Sequence, residues 1–222
     1  MSDASTSEGH RHPAARAFDA IGADYERAFV ASAAHHASLE WLLGELAPHS
    51  RILDVGSGTG RPTAQVLAGA GHEVLGVDVS PVMVDLASRQ VPGASFRCAD
   101  IRELPLREAG FDAVCVYFSL LQMSRDGQAA LVRKLARALR PGGRMVLATV
   151  PLDVEDVTAV FMGQEVRVTS FAPEAFVALA AGAGLTVLRE EHTVFTPSHP
   201  GAAPEPHVFL HCRRDPEPAA SG

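Results

Sequence analysis

The stretch Ile52-Leu53-Asp54-Val55-Gly56-Ser57-Gly58-Thr59-Gly60 sets an acid and three alternating glycines directly after an apolar run. Glycine is needed where a chain must turn tightly, or where a ligand lies against backbone with no Cβ in the way. A plain strand-to-helix turn uses one or two glycines and no acid. Asp54, Gly56, Ser57, Gly58 and Gly60 together therefore read as a ligand loop. A dinucleotide loop of the form GxGxxG would need glycine at position 61 or 63, where the chain has Arg61 and Thr63. Pro62 also removes an amide from the start of the next helix, where a pyrophosphate would seek one. The spacing GxGxG suits a ligand without a pyrophosphate and argues against a nicotinamide enzyme.

Two further acids fall in register with the loop. Asp78 ends the apolar run Glu73–Asp78 and can accept both hydroxyls of a ribose; because Ser80 and Pro81 follow, it also suits a helix cap. Asp100 follows a third run, Ser95–Cys98, and can accept from an adenine amine while Ile101 packs the ring. In an open sheet of parallel strands, ligands gather at the carboxyl ends of the strands, where all three acids are expected to lie.

The elements that must hold these residues are written in the same text. Phe18, Ile21, Tyr25 and Ala28, then Leu39, Leu42, Leu43 and Leu46, recur at helical spacing, predicting two amphipathic helices before the first strand. From Arg51 onward, short runs that are apolar on both faces alternate with helical patterns: ILDV, EVLGVD, SFRC, FDAVCVYF and RMVLATV. That is the signature of a mostly parallel sheet covered on both faces. Ser80-Pro81 starts a helix well, and Pro141-Gly142-Gly143 turns sharply into the next strand. The runs LTVLREEHTVF and HVFLHC, joined by the Pro/Gly-rich stretch 196–206, are expected to pair antiparallel at one edge.

With DVGSGTG at 54–60, GVDVSPVM at 76–83, AD at 99–100, FDAV at 111–114 and LRPGG at 139–143, the chain resembles the class I S-adenosylmethionine-dependent methyltransferases of the small-molecule type. The resemblance implies a Rossmann-like open α/β sheet of seven strands, mostly parallel with the last strand antiparallel and helices on both faces. It implies S-adenosylmethionine as cofactor and S-adenosylhomocysteine as product. It puts Gly56, Gly58 and Gly60 under the methionine part, Asp78 on the ribose, Met83 and Ile101 on the adenine faces and Asp100 on the adenine amine. Val79 and Phe118, which follow the second and fourth strands, complete the implied cofactor set. Tyr25, in the N-terminal helix, fits an aromatic that closes over the cofactor, although it shares a helix face with Phe18 and Ile21 and so also suits plain packing. Where many relatives carry a His pair after the fourth strand, this chain reads Ser119-Leu120-Leu121-Gln122-Met123, and Gln122 can hydrogen-bond a substrate but cannot act as a base.

The domain expected from this reading spans 14–212, with N-terminal lid helices at 14–48 and a candidate substrate segment at 151–172. Polar tails at 1–13 and 213–222 are expected to be disordered. Methyl transfer from a sulfonium mainly needs alignment, so a base is optional and no catalytic residue stands out. Candidates by location are His35, His36, Tyr117 and His192. Phe29, Trp41, Val157, Val160, Phe161 and Met162 suggest a small, apolar or aromatic acceptor methylated on O, N or C, as in secondary metabolism. The same fold could instead hold the cofactor for a cyclisation or rearrangement, or serve as a binding module without catalysis.

Composition sets the outer bounds. The 222 residues carry a formal net charge of −7, which opposes a nucleic-acid partner. Cys98, Cys115 and Cys212 form no metal-spaced cluster and read as buried free thiols, so no metal is expected. No apolar run approaches the roughly 20 residues of a membrane span, and the opening MSDASTSEGHRHP has no signal-peptide core. The expectation is a cytoplasmic enzyme with a small-molecule substrate and no membrane partner.

Overall fold

The computed structural model describes residues 13–215, so of the expected tails at 1–13 and 213–222, residues 1–12 and 216–222 lie outside the described residues, and Pro13 begins a helix. Strands β1 (Arg51–Val55), β2 (Glu73–Asp78), β3 (Ser95–Cys98), β4 (Phe111–Tyr117) and β5 (Leu139–Thr149) are joined by parallel pairing. With β8 (Leu185–Phe195) and β9 (Glu205–Arg214) they form a seven-stranded sheet in the order β3-β2-β1-β4-β5-β9-β8. β9 runs antiparallel to both of its neighbours, so the last strand in sequence is the antiparallel one. It ends at Arg214; Arg213 pairs with Arg144, so two residues expected in the polar tail belong to the sheet, their backbone amides held by a ladder that composition does not reveal.

Alternation along the central strands builds both faces. Val114 and Val116 of β4 join Leu53, Val55, Met145 and Leu147 against helices α6 (Arg125–Ala138) and α7 (Pro173–Gly182). Ala113, Cys115 and Tyr117 join Ile52, Val146 and Ala148 against α3 (Ala33–Glu45) and α4 (Thr63–Gly69). This two-sided burial is what the continuous apolar runs anticipated. Helix α5 (Pro81–Gln90) starts as expected: Ser80 caps it, its side chain accepting from the Met83 amide at 3.1 Å.

Three features depart from the expectations. The chain before α3 forms two helices, α1 (Pro13–Ile21) and α2 (Ala23–Phe29), because Gly22 takes φ 53° between them. The helical spacing of Phe18, Ile21 and Tyr25 runs through that break without registering it. The segment 151–172 contains an antiparallel hairpin, β6 (Val157–Phe161) and β7 (Gln164–Val168), turning through Met162 and Gly163 at positive φ. Cys98 is exposed, since β3 is an edge strand; Cys115 and Cys212 are buried free thiols. Among the described residues no helix is long and apolar enough to cross a membrane.

Candidate active site

The chain crosses from one sheet face to the other between β1 and β4, and the glycine loop fills the crevice there. Gly56 has φ +70°, and a Cβ placed on it would lie 2.3 Å from Ser119 Cβ, so no larger residue fits. Ser119 is pinned by donating to the Val55 carbonyl at 2.8 Å. The neighbouring Phe118 has φ 57°, a strained conformation for a bulky residue; its amide donates to Ala148 O at 2.9 Å. Gly60 has a different task. It lines neither cavity described below, and its open side faces Phe96, Val91 and Ala87, where its missing Cβ lets the loop settle on α5 and β3.

A cavity of about 350 Å³ opens at the carboxyl ends of β1–β4. It gathers nine of the twelve residues expected at the cofactor: Tyr25, Gly56, Gly58, Asp78, Val79, Met83, Asp100, Ile101 and Phe118. A smaller one of about 40 Å³ adjoins it beneath the loop and is lined by Asp54 and Ser57, with Glu26, His35, Thr59, Arg61 and His207. Six buried polar atoms around this small cavity have no protein partner: Glu26 Oε2, Asp54 Oδ2, Ser57 Oγ, Thr59 Oγ1, Arg61 Nε and His207 Nδ1. Orphaned buried atoms of this kind are rare in folded proteins, and six around one hole ask for a polar ligand or water.

The acids differ in how they are held. Asp54 is buried, and desolvation, helped by the charge of Asp78, pushes its carboxyl up to about 7. Asp78 accepts from the amides of Gly58 at 2.9 Å and Ser80 at 2.8 Å; burial raises its pKa and those amides oppose the rise. The two carboxylate oxygens of Asp100 are engaged by Arg102, whose Nη2 lies 2.6 Å from Oδ2. Ser80 Oγ donates to Asp19 Oδ1 at 2.6 Å, tying α1 to the start of α5.

The roof over the larger cavity is aromatic. Tyr25 stacks on Phe29 at 4.9 Å, and Phe161 from the hairpin approaches Phe18, Tyr25 and Phe29 at 6.3, 6.4 and 5.9 Å. Of the expected apolar substrate residues, Phe29, Val160 and Phe161 line this cavity. Val157 and Met162 do not, and Trp41 packs edge-on against His211 of β9. The proposed bases fare poorly. His36 and His192 line neither cavity, and the Tyr117 hydroxyl is buried against Ser38 at 3.0 Å with its pKa raised by desolvation. His35 borders the small cavity, but burial pushes its pKa down to about 3 and Thr63 binds its Nε2. Leu152, Val166 and Val168, inside the segment 151–172, also line the cavity wall, whereas sequence reasoning missed Leu121 and Val150 there, and Glu205 and His207 of β9.

Residues 52–143 match the family model described as a methyltransferase domain. Over these residues the chain carries a methyltransferase domain, and its fold is that of S-adenosylmethionine-dependent methyltransferases. It is 38% identical over 112 residues to the biotin biosynthesis bifunctional protein BioHC of Cellvibrio japonicus, covering 50% of this chain and 22% of that protein. It is 38% identical over 101 residues to a demethylmenaquinone methyltransferase of Beutenbergia cavernae, covering 46% and 41%. The chain thus spans less than half the length of these relatives. The 1,6-didemethyltoxoflavin-N1-methyltransferase of Burkholderia thailandensis, solved with bound 1,6-didemethyltoxoflavin and S-adenosylhomocysteine, has the same fold, with a TM-score of 0.70 at 23% identity over 91% of this chain and 88% of that one.

Proposed function

We propose that the protein binds S-adenosylmethionine at the glycine loop and transfers its methyl group to a small, largely apolar acceptor held under the aromatic roof. The observation that carries the reading is the side-by-side placement of the two cavities, one ringed by orphaned polar atoms under Gly56 and Gly58, the other apolar. The residues fit the cofactor. Asp54, Ser57, Thr59 and Arg61 offer charged and polar partners to an amino-acid tail, Gly58, with open space where a Cβ would stand, leaves room for it, and Asp78 keeps carboxylate lone pairs for a ribose. Met83 and Ile101 would flank the base, with Asp100 at its amine.

When bound, the cofactor supplies a methyl group already activated by its positive sulfur. The protein's part is then to orient and to exclude water, which can contribute about 7–11 kcal/mol of barrier reduction. Tyr25, Phe29 and Phe161 close the apolar side against solvent, and Gln122 at its wall is placed to hydrogen-bond an acceptor. Relatives named as O-methyltransferases support a small-molecule acceptor.

Calorimetry with S-adenosylhomocysteine and no added metal tests the cofactor half. Wild type should bind it and ignore NAD, and Asp78→Ala should weaken binding by more than about tenfold, since each hydrogen bond to a charged group is worth roughly 1.5–3 kcal/mol. Unchanged affinity in a folded Asp78→Ala protein would remove the ribose assignment. Release of S-adenosylhomocysteine during turnover separates methyl transfer from rearrangement.

A further inference from the structure

The larger cavity has a one-sided charge pattern. Its acids are Asp78, Asp100 and Glu205, and among its described lining residues there is no Lys, Arg or His. Two of the acids are already employed, Asp78 by the amides of Gly58 and Ser80, and Asp100 by Arg102. Glu205, at the first position of β9, has a single hydrogen-bond partner among the described residues: its Oε1 accepts from His207 Nε2 at 2.9 Å. That bond places the imidazole proton on Nε2 and holds the carboxylate at the cavity wall. His207 is itself fixed by burial and by the ring of Phe118 at 4.5 Å. Glu205 shares the cavity with the roof aromatics Tyr25, Phe29 and Phe161, and its charge helps to raise the Tyr25 phenol's pKa.

We propose that Glu205 receives the acceptor, and that the acceptor is a primary or secondary amine on an apolar or aromatic skeleton. The proposal rests on the methyl-transfer reading above and names the substrate class of that site. With the cofactor seated on Asp78 and Asp100, a phenolate or carboxylate would meet Glu205 in an apolar cavity whose described lining holds no Lys, Arg or His, and like charges at short range in a poorly solvated site disfavour the ionised form. An ammonium meets the opposite conditions, a carboxylate and the faces of aromatic rings, both of which attract a cation.

The same residue accounts for the proton. Before its nitrogen can accept the methyl group the ammonium gives a proton to the Glu205 carboxylate at the cavity wall, which leaves a neutral amine. The nitrogen lone pair forms the new N–C bond as the methyl carbon's bond to sulfur breaks. The sulfur becomes a neutral thioether, the nitrogen takes the positive charge, and the Glu205 proton goes to solvent as product leaves.

Calorimetry on the full chain saturated with S-adenosylhomocysteine tests this with four matched probes: 2-phenylethylamine, 2-phenylethanol, 4-ethylphenol and phenylacetate. The amine should bind at least about tenfold more tightly than the alcohol or the phenol, with phenylacetate weakest. Glu205→Gln, which keeps an acceptor for His207, should abolish the amine's advantage while the Kd for S-adenosylhomocysteine stays within about threefold. The proposal is overturned if the alcohol, phenol or acid binds as well as the amine, if no probe binds, or if the preference survives in Glu205→Gln. Should that variant fail to fold, the wild-type ranking alone decides. Failure of wild type to bind S-adenosylhomocysteine would be read separately, as failure of the cofactor assignment.

Discussion

With Asp54 buried at 2% exposure and its Oδ2 without a partner, the loop holds a carboxyl that the apo fold disfavours as an anion. Its pKa is raised from 3.8 to about 7, so between those values the folded state holds more protons than the unfolded one. Stability contributed by the protonated form is therefore full below about 4 and is lost as pH rises toward 7, by something on the order of 4 kcal/mol in all. Asp54→Asn keeps the shape and removes the charge. Its melting temperature should match wild type near pH 4 and exceed it at pH 8, while affinity for S-adenosylhomocysteine falls because a cationic amino group loses its anion. A melting curve for the variant that tracks wild type from pH 4 to pH 8 would mean that the charge is already compensated. Asp54, Gly56, Ser57 and Gly58, which line the two cavities, were legible because they lie within five residues of one another in the chain. Glu205 and His207 were not: they sit some 150 residues away and reach the site only because β9 inserts beside β5, a pairing that no local pattern encodes.

At the level of elements, the alternating apolar runs of β1, β2, β4 and β5 announced strands buried on both faces, and the structure pairs them so. The roof was harder to read. Gly22 breaks the first helix through a positive φ that hydrophobic spacing cannot register, and the hairpin β6–β7 is too short and too uniformly apolar at Val157–Phe161 to separate from a loop. Its one visible sign was the alternation of Glu165, Val166, Arg167 and Val168 after the Met162-Gly163 turn. Phe161 joins the hairpin to three rings of α1 and α2. Aromatic pairs add roughly 0.5–1.5 kcal/mol each beyond their burial, so Phe161→Ala should loosen the roof more than the core. Turnover should drop by about tenfold or more with acceptor KM raised, while the Kd for S-adenosylhomocysteine changes by less than about threefold. Equal losses in cofactor affinity and turnover would place Phe161 in the cofactor site instead.

For the whole molecule, the question is whether α1 and α2 belong to the fold or to the chemistry. The seven-stranded sheet, α3 to α7 and both hydrophobic layers are complete without them, and Ser32 caps α3 by accepting from the His35 amide. A protein lacking residues 1–31 keeps that cap and should fold. It loses the buried Ile21 and Ala28, the Asp19 contact to Ser80 and the Glu26 contact to Arg61. Burying a side chain the size of Ile contributes roughly 1.5–3 kcal/mol, so a fall of several degrees in melting temperature is expected rather than unfolding. Cofactor affinity should weaken less than in Asp78→Ala, because the glycine loop and all three acids of β1–β3 remain. Turnover should nearly vanish, since Phe18, Tyr25 and Phe29 form one wall of the larger cavity and their removal admits water. Melting temperature, cofactor Kd and turnover measured on one preparation separate the possibilities. If activity falls only in step with stability, the helices are structural; if full activity survives the truncation, the roof has no part in methyl transfer.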